Sequence, residues 1–145
     1  MMTKNALSMW LRNLLKIFKL NNLLGIDFGE RFVGIAIKKS NVSIPYAHKI
    51  IDAKNTELIS EIKDTVEKED ISKIIIGYPI GLNNNPSRMS KLVDNFIEND
   101  LKVNFDLPIK KVDERLTSKI IDNVTDKRYD DLSAVKLLET YCSNE

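Results

Sequence analysis

Four acidic residues stand where this sequence predicts the ends of structural elements, and acids in such positions can bind metal ions. Asp27 closes one apolar run, Asp113 and Glu114 close another, and Asp130, next to Asp131, opens an apolar helical pattern. A carboxylate at the end of a buried strand is costly to desolvate unless a cation or a hydrogen-bond donor meets it. Asp27 is therefore a candidate metal ligand, and the alternative is a turn-capping aspartate in a β-hairpin.

The acids predict a particular kind of metal ion if they come together. Carboxylates about 4 Å apart, at an effective dielectric of roughly 20, repel each other by about 4 kcal/mol per pair. A domain that is stable by only about 5–15 kcal/mol would not keep three of them together without a compensating charge. Hard divalent cations such as Mg²⁺ and Mn²⁺ prefer oxygen ligands, including substrate phosphate oxygens. The acids thus favour Mg²⁺ or Mn²⁺ and hydrolysis of a phosphodiester bond by an activated water.

Length, charge and cysteine content narrow the function classes. The chain has 145 residues, which predicts one domain, and its net charge is only +1. Any attraction to nucleic acid must therefore come from local clusters of charge. The single cysteine, Cys142, cannot form an internal disulfide, which predicts a reducing, cytoplasmic location. With one cysteine and one histidine, His48, neither a zinc site nor a Cys/His nucleophile is expected, and we interpret His48 as structural.

Several basic and hydroxyl side chains are candidates for contacts with nucleic acid. Arg115 follows the acid pair directly, so it could clamp a phosphate or pair with a neighbouring acid. Thr117 and Ser118 could donate to a phosphate or cap a short helix. A solvated surface position is the alternative for each further candidate for a backbone contact, namely Arg88, Lys127 and Arg128.

The first twenty residues are predicted to form a basic amphipathic helix. Their apolar runs are interrupted by Lys4, Arg12, Lys16 and Lys19, so this segment cannot span a membrane. It also lacks the apolar centre and the cleavage site of a signal peptide. We interpret it as a helical extension that packs on its own domain or on a partner, with contact to a membrane surface as the weaker alternative. Residues 21–145 are then a single domain.

The apolar periodicity predicts an α/β architecture in which the acids meet at one edge of a sheet. Hairpin-linked strands come first, and helices and strands then alternate. Ligands gather beyond the carboxyl ends of parallel strands, where Asp27 and the Asp113–Glu114 pair would lie. A carboxylate of the final helix joins them if that helix packs across the sheet. The predicted strands are 23–27, 31–38, 42–51 with a bend at Pro45, 71–77 and 109–112, and the predicted helices are 55–68, 87–99 and 130–142.

The motifs together resemble the YqgF/RuvX family, the RuvC-like nucleases described as Holliday junction resolvases or pre-16S rRNA nucleases. The resemblance runs from about Leu23 to Tyr141, and the first twenty residues have no counterpart in it. The run from Asp113 to Ser118 is its most specific part. The residues that carry it are Leu24-Gly25-Ile26-Asp27-Phe28-Gly29, Val33-Gly34-Ile35-Ala36, Ile76-Gly77-Tyr78-Pro79, Asp113-Glu114-Arg115-Leu116-Thr117-Ser118 and Asp130-Asp131-Leu132-Ser133-Ala134-Val135.

This resemblance implies an RNase H-like fold, a five-stranded mixed sheet flanked by helices, and a metal-dependent nuclease site. By motif position Asp27 is the first-strand acid, Asp113 and Glu114 form the second acidic motif, and Asp130 is the acid of the final helix. Asp27, Glu114 and Asp130 are then the expected metal ligands, with Glu114 favoured over Asp113. The implied reaction is maturation of the 5′ end of pre-16S rRNA, with Holliday junction resolution as a further substrate class and ribosomal particles as partners.

Two other function classes remain open from the residues. A non-catalytic, RNA-binding ribosome-assembly protein could retain the same fold. A sugar-kinase or actin-like ATPase shares the glycine turn around Asp27, but such enzymes enclose their nucleotide between two domains, and this chain has room for one. Either a monomer or a homodimer is compatible with the sequence, although a symmetric four-way junction would favour a two-fold dimer.

Overall fold

A five-stranded mixed sheet forms the centre of the protein. The computed structural model describes residues 3–17, 21–114 and 129–144, except the side chains of 15–17, 82 and 129–131. The strands are β1 (Leu23–Asp27), β2 (Phe32–Lys38), β3 (Tyr46–Asp52), β4 (Lys73–Tyr78) and β5 (Ile109–Asp113). Their order in the sheet is β3-β2-β1-β4-β5. β1 pairs antiparallel with β2 and parallel with β4, and β4 pairs parallel with β5, which confirms the predicted fold class.

Helices cover both faces of the sheet. Helix α3 (Arg88–Phe96) begins with a capping box, in which the backbone N–H of Ser90 donates to the Ser87 hydroxyl and the Ser87 N–H donates to the Ser90 hydroxyl. None of the helices in the described ranges is long and apolar enough to cross a membrane. The helices are α1 (Lys4–Ile17), α2 (Leu58–Lys68), α3 (Arg88–Phe96) with a π-helical continuation (Ile97–Leu101), α4 (Lys102–Asn104) and the C-terminal helix (Tyr129–Ser143); Leu82–Asn84 is a 3₁₀ turn.

Two apolar clusters lie on opposite faces of the sheet. The larger one contains Ile74 and Ile76 of β4 and packs against α2 and α3. The smaller one contains Ile75 and packs against Leu137 and Leu138 of the C-terminal helix. Successive strand side chains point to opposite faces, so a continuous apolar run is what a strand covered on both faces requires.

The third strand starts later than the sequence predicts. It begins at Tyr46 rather than Val42, and Val42 and Ile44 are exposed. Pro45 immediately precedes the strand and has no N–H to donate to a sheet ladder, so pairing starts only after it. The strand nevertheless pairs with β2 as the outermost strand of the sheet, which agrees with the edge position that Pro45 indicates.

Helix α1 has the amphipathic character that its sequence predicts. Leu7, Met9, Trp10 and Leu11 are all substantially exposed, and Trp10 retains 51% of its accessible surface. An isolated helix of this length is marginal in water, because most helical stability in proteins comes from packing of the apolar face. Packing of α1 on a partner therefore remains a prediction.

Candidate active site

Two of the predicted acids meet at the carboxyl ends of the central strands. Asp27 is the last residue of β1, Glu114 directly follows β5, and β4 lies between the two strands. A hydrogen bond joins the carboxyl groups of Asp27 and Glu114, and such a bond forms only while one of them carries a proton. Both residues are half-buried. We call these two residues the carboxyl pair.

Gly77 in β4 makes the approach of the carboxyl pair sterically possible. A Cβ atom at this position would lie 2.5 Å from Oε1 of Glu114 and 2.7 Å from Cδ1 of Leu137. The Glu114 side chain therefore lies over the backbone of the intervening strand, where any side chain at position 77 would collide with it. The sequence pattern indicates Gly77 only as the end of a strand, so the role of this residue in the site was missed. A glycine that follows a run of β-branched residues often marks a place where another group comes close to the backbone, and that signal could have found it.

The neighbouring acids Asp113 and Glu114 lie on opposite faces of the sheet. Val112 belongs to the cluster under the C-terminal helix, so strand alternation puts Glu114 on that same face. Asp113 is on the other face, beside its register partner Tyr78. Asp27 shares the face of the C-terminal helix, because Leu23, four residues earlier in β1, belongs to that cluster. Sheet geometry thus separates two acids that are adjacent in the sequence.

The surroundings of Glu114 favour its neutral form. Burial raises the pKa of the Glu114 carboxyl above its usual range, and the negative charge of Asp113 adds to that shift, whereas the hydrogen bond from Asp27 opposes it. A nearby cation would stabilise the ionised form of both members of the carboxyl pair. Their donor set is oxygen only, which suits a hard divalent cation rather than zinc.

The C-terminal helix begins at the end of the sheet where the carboxyl pair lies. Lys73, at the start of β4, donates from Nζ to the hydroxyl of Tyr141 at 2.9 Å, while Leu137 lies against Gly77 near the end of that strand. The helix is therefore antiparallel to β4, and its first residues lie beyond the strand end. Asp130 is the second residue of this helix, about two turns before Leu137, and its side chain lies outside the described residues. Within the described part of the chain, no group of three metal-ligating side chains is present.

Most of the predicted nucleic-acid contacts lie outside the described residues. Arg88 lies within the described residues, and its guanidinium makes a bidentate contact with the carboxylate of Glu30, in which Nη2 donates to Oε2 at 3.1 Å. Both side chains are more than half exposed, at 74% for Arg88 and 52% for Glu30. The predicted contacts beyond the described ranges are Arg115, Thr117, Ser118, Lys127 and Arg128.

A third carboxylate, Asp94 in α3, lies on the opposite face of the sheet, and each of its two oxygens accepts a hydrogen bond. It accepts a hydrogen bond from the Tyr78 hydroxyl at 2.8 Å and another from Nζ of Lys111 at 2.7 Å. The contact with Lys111 is the main reason that the pKa of Asp94 is lowered. The Lys111 ammonium also lies 4.6 Å from the centre of the Tyr78 ring. This group ties α3 to β4 and β5.

Comparison with known proteins gives a consistent family. Residues 21–144 match the model of the RuvX family, described as Holliday junction resolvase. A protein of Maridesulfovibrio salexigens is 31% identical over 82% of this chain and 96% of its own length, and one of Bacteroides thetaiotaomicron is 30% identical over 87% and 99%. Both carry the name "Putative pre-16S rRNA nuclease". The predicted family is thereby confirmed.

A solved structure supports the fold. Thermus thermophilus RuvC in complex with a Holliday junction substrate superimposes with a TM-score of 0.57 at 6% sequence identity, covering 86% of this chain and 95% of that one. At this identity the similarity concerns the fold alone, and it agrees with the five-stranded mixed sheet described above.

Proposed function

Because this chain belongs to the RuvX family, we propose that it is a nuclease that hydrolyses phosphodiester bonds at the carboxyl pair. The observation that carries the proposal is the meeting of Asp27 and Glu114 at the ends of β1 and β5. The proposed substrate is the 5′ end of pre-16S rRNA, in keeping with the name of the relatives, within a cytoplasmic ribosome-assembly setting. Branched DNA is the second substrate, in keeping with the description of the family.

The proposed metal ligands are Asp27, Glu114 and Asp130, and the ion is Mg²⁺ or Mn²⁺. Two half-buried carboxyl groups in contact, with an all-oxygen donor set, fit such an ion. When bound, a divalent cation lowers the pKa of a water molecule and neutralises charge on phosphate oxygens. Asp130 is included because its helix begins at the end of the sheet where the carboxyl pair lies.

The protein's own contribution is to position these acids. Gly77 leaves space for the Glu114 side chain above β4, so that it can reach Asp27. The half-burial of both carboxyl groups excludes part of the solvent and strengthens their attraction for a cation. Asp113, on the other face, is proposed to act on catalysis through its charge on Glu114.

Phosphate contacts are proposed for the basic and hydroxyl residues that the sequence singles out. Arg88 is proposed to release Glu30 in exchange for a phosphate, because their contact is exposed and exposed ion pairs contribute little to stability. The remaining proposed phosphate contacts are Arg115, Thr117, Ser118, Lys127 and Arg128.

The oligomeric state proposed is a monomer for a single-stranded RNA end and a homodimer for a symmetric junction.

Cleavage assays with a matched control test this proposal. A labelled ribosomal RNA precursor and a four-way DNA junction are incubated with Mg²⁺, Mn²⁺ or a chelator. We expect metal-dependent cleavage that Asp27→Asn reduces at least about 100-fold. Asp94→Asn, which neutralises an aspartate on the opposite face, should cleave like the wild type. Intact binding to both substrates without cleavage would instead indicate a non-catalytic RNA-binding protein.

A further inference from the structure

An exposed aromatic ring lies on the same face of the sheet as the carboxyl pair. Phe32 opens β2 and is 42% exposed. In the pairing of β1 with β2, Asp27 is opposite Gly34, and Phe32 lies two residues before Gly34 in β2. Residues two apart on a strand share a face, and such diagonal neighbours across two strands are about 7–8 Å apart. The Phe32 ring therefore lies diagonally across from Asp27, at the same end and on the same face of the sheet.

A guanidinium group is held over this ring. The Cζ atom of Arg31 lies 4.8 Å from the centre of the Phe32 ring. Its Nη2 donates to Oδ2 of Asp52 at 3.4 Å, and Asp52 is the register partner of Phe32 in β3. Aromatic rings and guanidinium planes are the side-chain surfaces on which unpaired nucleobases stack.

The backbone that presents Phe32 is closely constrained. A Cβ atom on Gly29 would collide with the carbonyl oxygen of Phe32. The backbone N–H of Ala53 donates to the carbonyl oxygen of Arg31 at 2.7 Å. Because a rigid platform loses little entropy on binding, this turn favours a role in recognition.

Charge at the site favours a base over a phosphate as the group that Phe32 contacts. Glu30 and Asp52 flank the turn, and their carboxylates already engage the guanidinium groups of Arg88 and Arg31. Each acid is thus balanced by an arginine, so these two pairs have no net positive charge to attract a phosphate, whereas a nucleobase is neutral and gains from stacking on a ring. One sugar links a base to its own phosphate, which fits a base on Phe32 and a phosphate at the carboxyl pair.

We propose that Phe32, with Arg31 over it, stacks on an unpaired nucleobase next to the phosphodiester bond that is cut. The inference rests on the proposed function for the position of that bond. It makes the substrate a nucleic acid with an unpaired nucleotide at the cleavage site, and it makes Phe32 a determinant of that preference. RNA and DNA offer the same stacking chemistry, so the test includes both.

Binding measurements on an inactive chain test the stacking separately from cleavage. Full-length Asp27→Asn protein is titrated with fluorescent single-stranded RNA and DNA of about ten nucleotides, intact or with one abasic position moved along the strand. We expect one abasic position to weaken binding about tenfold. Adding Phe32→Leu should weaken binding of the intact strand about tenfold and abolish the sensitivity to that position, while Phe32→Trp should retain both.

Tyr46→Leu is the matched control. Tyr46 is 41% exposed and, like Phe32, is an aromatic residue at the first position of a strand, but its register partner Ile37 belongs to the cluster on the opposite face. This variant should bind all strands as the Asp27→Asn chain does. Unchanged binding by Phe32→Leu, equal sensitivity of both chains to abasic positions, or no binding of either strand would overturn the proposal.

If the Phe32→Leu chain fails to fold, a fluorescence measurement on a different variant tests the proposal. Trp10 is the only tryptophan, so Phe32→Trp combined with Trp10→Phe leaves a single indole at the platform. Its fluorescence should be quenched when an intact strand binds and should change little with the sensitive abasic strand. Stacking without any cleavage by the wild-type chain would refute the proposed function alone; cleavage without stacking would refute this inference alone.

Discussion

The two faces of the sheet treat their carboxylates in opposite ways. On the face of α2 and α3, Asp94 accepts hydrogen bonds from a tyrosine hydroxyl and a lysine ammonium. On the face of the C-terminal helix, Asp27 and Glu114 meet each other. The pKa of Asp94 is lowered by its lysine contact, whereas that of Glu114 is raised by burial. One arrangement stabilises the charged form of an acid, and the other disfavours it.

This difference separates acids that hold the fold together from acids that are available for chemistry. A carboxylate that accepts from a cation has its interactions satisfied within the protein. Two carboxyl groups in contact are costly to ionise together and gain from an added cation. Two carboxyl groups in contact, one of them with a raised pKa, are therefore functional candidates, and the predictions below test that assignment.

The largest effect is expected from Gly77→Ala. The added methyl group would displace Glu114 or Leu137, at a cost of about 1–3 kcal/mol in the free energy of unfolding. A misplaced catalytic carboxylate also lowers kcat by up to about 100-fold. Chemical denaturation and cleavage rates measure the two effects. The same substitution in a Glu114→Ala chain should cost less stability, and an equal cost would show that Glu114 is not the group displaced.

A smaller loss of stability is expected for Asp94→Asn. The change removes the charge that Lys111 contacts, and we expect a loss of about 1 kcal/mol because both side chains are partly exposed. The pKa of Asp94 is lowered in the folded state, so its contribution is complete above the unfolded value of about 3.9 and is lost as the pH falls through the folded value. Denaturation curves from neutral to acidic pH should therefore converge for the two chains. A difference that persists in acid would contradict this account.

Glu114→Gln is expected to raise the free energy of unfolding, whereas the two preceding substitutions lower it. The neutral amide removes a half-buried carboxylate that meets Asp27, so the free energy of unfolding should rise by about 0.5–1 kcal/mol at neutral pH while cleavage is lost. Glu61→Gln is the control, because Glu61 accepts from Nζ of Lys49 at 2.7 Å and its neutralisation should lower stability. If both variants lose stability, the distinction between the two faces is wrong.

The smallest effect is expected from deleting residues 1–20. The apolar side chains of α1 that are described are largely exposed, so the midpoint of thermal unfolding should be unchanged, with less than about 0.5 kcal/mol lost. Calorimetry measures the midpoint, and light scattering compares the masses of the full chain and of a chain starting at Asn21. Fewer subunits per particle for the shorter chain, after allowance for the mass of the deleted residues, would assign α1 to an interface between subunits.

Local patterns predicted the elements well where the apolar periodicity was strong. The run of isoleucines before Gly77 forms β4, and the helical spacing after Ser87 forms α3. The predicted start of β3 at Val42 was wrong, because the apolar residues on the amino side of Pro45 do not pair with β2. The continuation of α3 to Asn104 through a π-helical turn also exceeded the predicted end, since side-chain periodicity does not distinguish the two hydrogen-bond patterns.

The fold class, the family and the positions of the candidate acids follow from the order of the amino acids, because these features depend on periodicity and on residues close together in the chain. Which acids meet depends instead on how the strands are arranged in space. Asp27 and Glu114 are 87 positions apart and become neighbours because β4 lies between their strands and Gly77 leaves space above it. Asp113 and Glu114 are adjacent in sequence and are separated because successive residues of a strand face opposite sides of a sheet.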